Sequence, residues 1–124
     1  MTTRTLLAAA LMAVASASQA QASAELGQRL AQSSCAQCHG FAAGEGHGVG
    51  PNLFGLLGRP AAAAEGFAFT PQYTAAMKGR TWDRALLERW LTDTQTVAPG
   101  SGMVYFQDDA RKRDALIAYL QSLH

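Results

Sequence analysis

Apolar residues follow a helical spacing in four segments of this 124-residue chain. In the last segment they repeat at the i, i+3, i+4, i+7 spacing that places a buried stripe on one face of a helix. No stretch shows the alternation of apolar and polar residues that is typical of a strand. The pattern therefore predicts an all-α fold with three to five helices. The predicted helices cover residues 24–34, 70–78, 82–93 and 108–122.

Local residues indicate where three of these helices begin. Thr70 followed by Pro71 is typical of an N-cap and a first helical position. Thr81 is of the type expected for a cap before the third helix. Asp108 and Asp109 suit the start of the last helix, because the backbone dipole favours negative charge there.

Residues 40–69 form a long segment without a helical or strand pattern. Glycine and proline recur throughout it, so long regular elements are not expected. An irregular segment of this length is unusual in a compact domain. Loops can pack around a bound group instead of around each other, and we therefore expect this segment to wrap a buried cofactor.

The stretch Cys35-Ala36-Gln37-Cys38-His39 follows the first predicted helix and contains both cysteines of the chain. Two thiols on one helical turn can each add to a vinyl group of the same porphyrin. The next residue then lies under the ring, where a neutral imidazole can coordinate the iron. The sequence thus predicts one covalent haem c, bound through Cys35 and Cys38, with His39 as an iron ligand.

Three other functions of this stretch are less well supported. A thioredoxin-like redox pair belongs in a βαβ setting, which the pattern does not predict. A closed zinc site needs four Cys or His ligands, and the remaining histidines stand at unsuitable spacings. A disulfide between Cys35 and Cys38 would close so short a loop that it would stabilise little.

The other face of the iron needs a second ligand, and the candidates are two methionines and two histidines. Met77 falls in a predicted helix, where packing is its expected role. His47 stands among glycines, where we expect it to be solvated, and His124 is the last residue. Met103 lies in a glycine-containing loop, so its thioether is free of helical constraint, although a plain packing role is the alternative. We predict coordination by His39 and Met103, which raises the reduction potential.

The first 22 residues have the features of a secretory signal peptide. Arg4 is followed by a short apolar run, Leu6 to Val14, and then by small residues ending in Ala20-Gln21-Ala22. Cleavage after Ala22 is favoured, and cleavage after Ala20 fits almost as well. Residues 23–124 would then form a single domain in the periplasm, with no membrane span.

Without Arg4, the mature chain would carry nine basic residues (ten less one) and nine acidic residues. A net charge of zero implies no strongly basic face. Nucleic-acid binding therefore has no support.

Taken together, these motifs make the mature chain similar to the class I c-type cytochromes, the mitochondrial and short bacterial soluble cytochromes c. The resemblance extends over nearly all of residues 24–123, and the order and spacing of its motifs are highly specific. The motifs are Gly27, Cys35–His39, Gly50–Arg59, Gly66–Thr70, Thr81–Trp82, Pro99–Met103 and Leu116–Leu120.

The resemblance implies roles for further residues around the haem. The carbonyl of Pro51 would accept a hydrogen bond from Nδ1–H of His39 and fix its orientation. Arg59, the indole N–H of Trp82 and Ser101 would face a haem propionate, because a partly buried carboxylate needs such donors.

The resemblance also implies where the helices cross and where this chain departs from its relatives. Gly27 would lie where the first and last helices cross, against Leu116 and Tyr119. Tyrosine is common in the family where Phe69 stands here, so one hydroxyl donor is missing. Trp90 likewise replaces a common tyrosine on the methionine side.

The predicted function is that of a soluble periplasmic electron carrier with a single haem and no catalytic residues of its own. Its expected partners are redox proteins: membrane oxidase or reductase complexes and periplasmic dehydrogenases. The alternative is a haem c subunit of a periplasmic dehydrogenase or oxidase complex, so the chain would be either a monomer or part of a hetero-complex. Haem catalysis or gas binding would need an open iron site and has less support.

Overall fold

The computed structural model describes the backbone of residues 2–124 and the side chains of residues 14–124. Within this part of the chain there are five helices and no strand, which confirms the predicted all-α fold. Two isolated bridges pair Pro60 with Thr81 and Asp93 with Phe106. The helices are α1 (Thr2–Ser34), α2 (Pro71–Met77), α3 (Arg84–Thr92), α4 (Thr94–Val97) and α5 (Ala110–Ser122).

Helix α1 is longer than the predicted helix over residues 24–34, because it also includes the segment interpreted as a signal peptide. The side chains of residues 1–13 lie outside the described part, so cleavage near residue 22 stays a prediction. Among the described residues, no helix combines the length and the apolar character that crossing a bilayer requires.

Helices α1 and α5 cross at Gly27, as predicted, but the nearest atoms of α5 belong to Ala115 and Tyr119 rather than to Leu116 and Tyr119. A Cβ atom at this position would lie 1.8 Å from the carbonyl oxygen of Ala115 and 2.8 Å from Cβ of Tyr119. Only a residue without a side chain permits so close an approach of the two backbones. One turn along α1, Ala31 is also buried in the core. The crossing brings the C-terminal end of α1, and hence the Cys35–His39 stretch, against the rest of the fold.

The third helix begins two residues later than predicted. Its N-cap is Asp83, whose Oδ1 accepts a hydrogen bond from the backbone N–H of Leu86 at 2.7 Å. Thr81 and Trp82 are extended instead, because the backbone of Trp82 donates to the carbonyl of Arg59 and accepts from the N–H of Gly58. Because Thr81 and Trp82 lie alongside the irregular segment, Thr81 does not cap α3 and the helix begins after Asp83 instead.

The predicted cap at Thr70 is present, and Asp109 caps the last helix, which begins two residues later than predicted. The hydroxyl of Thr70 accepts from the N–H of Tyr73 at 3.3 Å, with Pro71 in the first position of α2. Oδ1 of Asp109 accepts from the N–H groups of Arg111 and Lys112 at the start of α5.

The four-residue helix α4 was not predicted from the sequence. Its N-cap is Asp93, whose Oδ1 accepts from the N–H of Gln95 at 2.9 Å. A single turn is too short to show a periodic pattern of apolar residues.

Replacing Gly27 by alanine tests the crossing of α1 and α5. In an isolated helix this change would stabilise by about 1 kcal/mol. Here the added methyl group would collide with backbone atoms of α5, so we expect the free energy of unfolding to fall by about 1–3 kcal/mol. Denaturant unfolding followed by circular dichroism measures the change.

Gly46→Ala is the matched control, because a Cβ atom at Gly46 would meet nothing within 4 Å. We expect it to change the stability by less than about 0.5 kcal/mol. Equal losses in the two variants would show that close approach at Gly27 is unimportant.

Candidate haem-binding site

A cavity of about 550 Å³ lies between the end of α1, the irregular segment 40–69, helices α2, α3 and α5, and the loop that follows α4. Its size falls within the range of about 300–1,000 Å³ that is usual for ligand pockets. Apolar and aromatic side chains make up most of its wall. Every site residue predicted from the sequence lines it: Cys35, Cys38, His39, Pro51, Arg59, Trp82, Ser101 and Met103.

The two cysteines lie on one turn that continues from the end of α1. The N–H of Cys38 donates to the carbonyl of Cys35 at 3.0 Å, and the N–H of His39 donates to the same carbonyl at 2.9 Å. Both thiols are free, and burial raises the pKa of Cys35. The turn thus presents two thiols and an imidazole to one side of the cavity.

His39 is held by a hydrogen bond of 2.6 Å between its Nδ1 and the carbonyl oxygen of Pro51, as the resemblance implies. A carbonyl can only accept, so Nδ1 carries the proton and Nε2 keeps its lone pair. Burial lowers the pKa of His39 and outweighs the opposite effect of the Pro51 carbonyl. The imidazole is therefore kept neutral, the form that binds a metal.

Gly50 leaves room for this ring. A Cβ atom at Gly50 would lie 2.3–2.8 Å from ring atoms of His39. The close approach explains why glycine precedes Pro51 at this place. The same backbone is tied to the haem motif by a hydrogen bond of 2.8 Å from the N–H of Gly50 to the carbonyl of Cys38.

The polar side chains of Arg59, Tyr73 and Trp82 lie close together at another part of the cavity wall. Nη2 of Arg59 donates to the carbonyl of Asn52 at 3.1 Å, and burial lowers the pKa of this arginine. Burial also raises the pKa of Tyr73. Hydrogen bonds from Ala62 and Trp82 and the nearby charge of Arg59 lower this pKa, but the effect of burial is larger. Arg59 and Trp82 both interact with Tyr73, and their contact with a haem propionate stays a prediction.

Sequence reasoning gave Tyr73 no role at the site. The ring of Tyr73 stacks on that of Phe69 with centroids 5.0 Å apart and an angle of 12° between the planes. The hydroxyl of Tyr73 interacts with Trp82 and lies near Arg59. No local pattern indicates this role, because Phe69 precedes the cap of α2 and does not share its helical spacing.

Ser101 lies deeper in its own loop than expected. It is buried, and its hydroxyl donates to the carbonyl of Met103 at 3.3 Å and accepts from Nε2 of Gln95 at 3.2 Å. The hydroxyl thus has partners within the methionine loop. Met103 itself is half-buried and lines the cavity. Met77, by contrast, is fully buried in the core, which is the packing role predicted for it.

Comparisons with known proteins agree with this geometry. A family described as "Cytochrome C oxidase, cbb3-type, subunit III" matches residues 22–120. Cytochrome c of Stellaria longipes is 38% identical over 100 residues, which cover 79% of this chain and 90% of that protein. Cytochrome c2 iso-2 of Magnetospirillum molischianum is 40% identical over 93 residues, which cover 72% and 90%.

A solved structure is similar as well. Cytochrome cH from Methylobacterium extorquens matches with a TM-score of 0.71 and 39% sequence identity, over 80% of this chain and 97% of that one. The chain belongs to the class I c-type cytochromes. Proteins of this family are electron carriers rather than enzymes, and they bind haem c covalently.

The residues of this cytochrome fit such a group. The cavity has apolar walls of a size suited to a cofactor, two thiols and a neutral imidazole on one turn, and a thioether on a separate loop. The imidazole and the thioether match the side chains that hold haem iron in cytochromes c, and the two thiols can attach to the vinyl groups of the porphyrin. In the described part of the chain, no group of three or more His, Cys, Asp or Glu is arranged to hold a metal ion.

Asn52 organises the loop behind His39, and sequence reasoning missed this role. The side chain is buried, and its Nδ2 donates to the carbonyls of Ala42 and Glu45 at 2.9 and 2.7 Å. Its Oδ1 accepts from the N–H of Phe54 at 2.7 Å. One amide therefore joins three parts of the irregular segment next to Pro51.

His47 is exposed, as predicted. Both of its ring nitrogens also have hydrogen-bond partners, which the sequence did not indicate. Nδ1 accepts from the N–H of Asn52 at 2.9 Å, and Nε2 donates to the carbonyl of Glu65 at 2.8 Å. Since these bonds join residues far apart in the segment, His47 has a structural role that spacing in the sequence does not reveal.

Replacing Asn52 by alanine should loosen the loop that carries Pro51. The change removes three hydrogen bonds, and because water can reach part of this surface loop we expect a loss of about 1–3 kcal/mol in the free energy of unfolding. Gln28→Ala, at an exposed position of α1, is the control and should change stability by less than about 0.5 kcal/mol. Equilibrium unfolding in urea measures both, and an unchanged midpoint for the Asn52 variant would contradict the assignment.

Proposed function

We propose that this cytochrome carries one haem c attached through Cys35 and Cys38, with His39 and Met103 as axial ligands, and that it passes single electrons between redox proteins. The main support is that the candidate haem-binding side chains lie around one cavity. The thiols, the neutral imidazole and the methionine line the same cavity, although Met103 is more than sixty residues from the others in sequence.

Haem supplies the one-electron chemistry when it is bound, and the side chains set the conditions for it. Pro51 fixes the ring of His39 and leaves Nε2 free. A thioether at Met103 would favour the ferrous state, since sulfur donates weakly to ferric iron, and so would raise the reduction potential.

The polar part of the wall suits the carboxylates of the haem. Arg59 brings a fixed positive charge, and Trp82 brings an indole N–H. Tyr73 adds a hydroxyl beside them, whereas the hydroxyl of Ser101 donates within its own loop, to the carbonyl of Met103. Donors of this kind stabilise a partly buried carboxylate that would otherwise lose its hydration.

We further propose that the protein works in the periplasm. The support is the predicted signal peptide over residues 1–22, which would leave residues 23–124 as the mature domain. Its partners would be membrane oxidase or reductase complexes and periplasmic dehydrogenases.

A second candidate function is that of a haem c subunit in a periplasmic dehydrogenase or oxidase complex. The observation that favours it is the match of residues 22–120 to a family described as an oxidase subunit. Gel filtration of protein from its native source distinguishes the two: a free carrier elutes at the size of one small domain, whereas a subunit co-elutes with a larger redox protein.

Replacing Met103 by alanine tests the axial ligand. The oxidised wild-type protein should show the charge-transfer absorption of an iron–sulfur bond, and the variant should lack it because the thioether is gone. Visible spectroscopy of the ferric holoprotein measures the band.

Met77→Leu serves as the control, since Met77 is buried in the core and a leucine of similar volume is tolerated there. We expect this variant to keep the band. Survival of the band in the Met103 variant, or its loss in the Met77 variant alone, would contradict ligation by Met103.

A further inference from the structure

The backbone carbonyl of Met103 accepts hydrogen bonds from three side chains of the described part of the chain. Oγ1 of Thr94 donates at 2.8 Å and Nε2 of Gln95 donates at 3.0 Å. Oγ of Ser101 lies at 3.3 Å. Two of the three donors belong to α4, the short helix that the sequence did not predict.

Gln95 spans the loop that leads to Met103. Its Oε1 accepts from the N–H of Gly100 at 3.0 Å, and its Nε2 also lies 3.3 Å from the carbonyl of Ser101. One amide side chain therefore binds the start, the middle and the end of the loop.

Thr94 holds the other side of Met103. It is fully buried, and its Oγ1 accepts from the N–H of Tyr105 at 3.0 Å while it donates to Met103. Its backbone N–H donates to the carbonyl of Tyr105 at 3.1 Å. Residues 103 and 105 are thus attached to the same threonine.

These bonds matter because the loop has little else to order it. Gly100, with φ of 78°, and Gly102 make it conformationally free, and ordering each residue costs about 1–2 kcal/mol of entropy. Helix α4 is itself fixed by its cap at Asp93. It therefore offers a rigid base from which two side chains can determine the position of the Met103 backbone.

We infer that Thr94 and Gln95 are positioning residues that hold Met103 so that its thioether reaches the cavity and resists displacement from the iron. They act through the backbone of Met103 and do not bind iron themselves. The inference rests on the proposed function, because it takes Met103 to be an axial ligand.

The test measures how readily imidazole, added as an external ligand, displaces the methionine from ferric holoprotein. Thr94→Val removes the hydroxyl but keeps the shape of the side chain, and Gln95→Leu removes the amide. Each change should strengthen imidazole binding about three- to tenfold, as expected for the loss of one or two hydrogen bonds. Thr94→Ser keeps a hydroxyl and should restore the wild-type affinity.

Thr96→Val is the matched control within the same helix. The hydroxyl of Thr96 donates to the carbonyl of Asp93 and has no bond to the methionine loop. Its loss should leave the affinity for imidazole unchanged.

The denaturant midpoint, measured in parallel, separates positioning from general stability. Wild-type imidazole affinity in both the Thr94 and Gln95 variants would overturn the inference, whether or not the midpoint falls. If Thr94→Val does not fold, the imidazole affinity of Gln95→Leu tests the inference alone, because Gln95 is partly exposed and its replacement is better tolerated. Absence of the iron–sulfur band in the wild-type protein would instead refute the proposed ligation by Met103, and the inference would fall with it.

Discussion

The cavity between the Cys35–His39 turn and the Met103 loop is the constraint on which the rest of the structure depends. Side chains that also belong to the hydrophobic core line it, among them Leu56, Leu87 and Leu116. A group that fills the cavity would therefore pack directly against the core, and the residues present suit haem.

Different contacts fix the different parts of the cavity wall. The crossing of α1 and α5 at Gly27 places the cysteine turn, and the carbonyl of Pro51 fixes the ring of His39. Another part of the wall is a glycine-containing loop that hydrogen bonds join to α4. The irregular segment between them is ordered by side-chain hydrogen bonds, chiefly those of Asn52, rather than by regular secondary structure.

Features that depend on neighbouring residues were predictable from the sequence. The Cys35–His39 spacing, the cap at Thr70, the aspartates at the start of the last helix and the apolar stripe of α5 are local patterns, and the structure has each of them. Features that depend on distant contacts were not. Trp82 is extended because it pairs with residues 58 and 59, and no signal near Trp82 shows this. The side-chain bonds of Asn52 and Gln95 join residues closer in sequence, but they lie in irregular loops that show no periodic pattern.

Intact-mass spectrometry of the protein, produced together with haem-attachment machinery, tests covalent haem binding most directly. Wild-type protein should carry the mass of one haem per chain, and a variant with alanine at both Cys35 and Cys38 should carry none. Wild-type protein that folds and is exported with the mass of the polypeptide alone would contradict the assignment of the cavity.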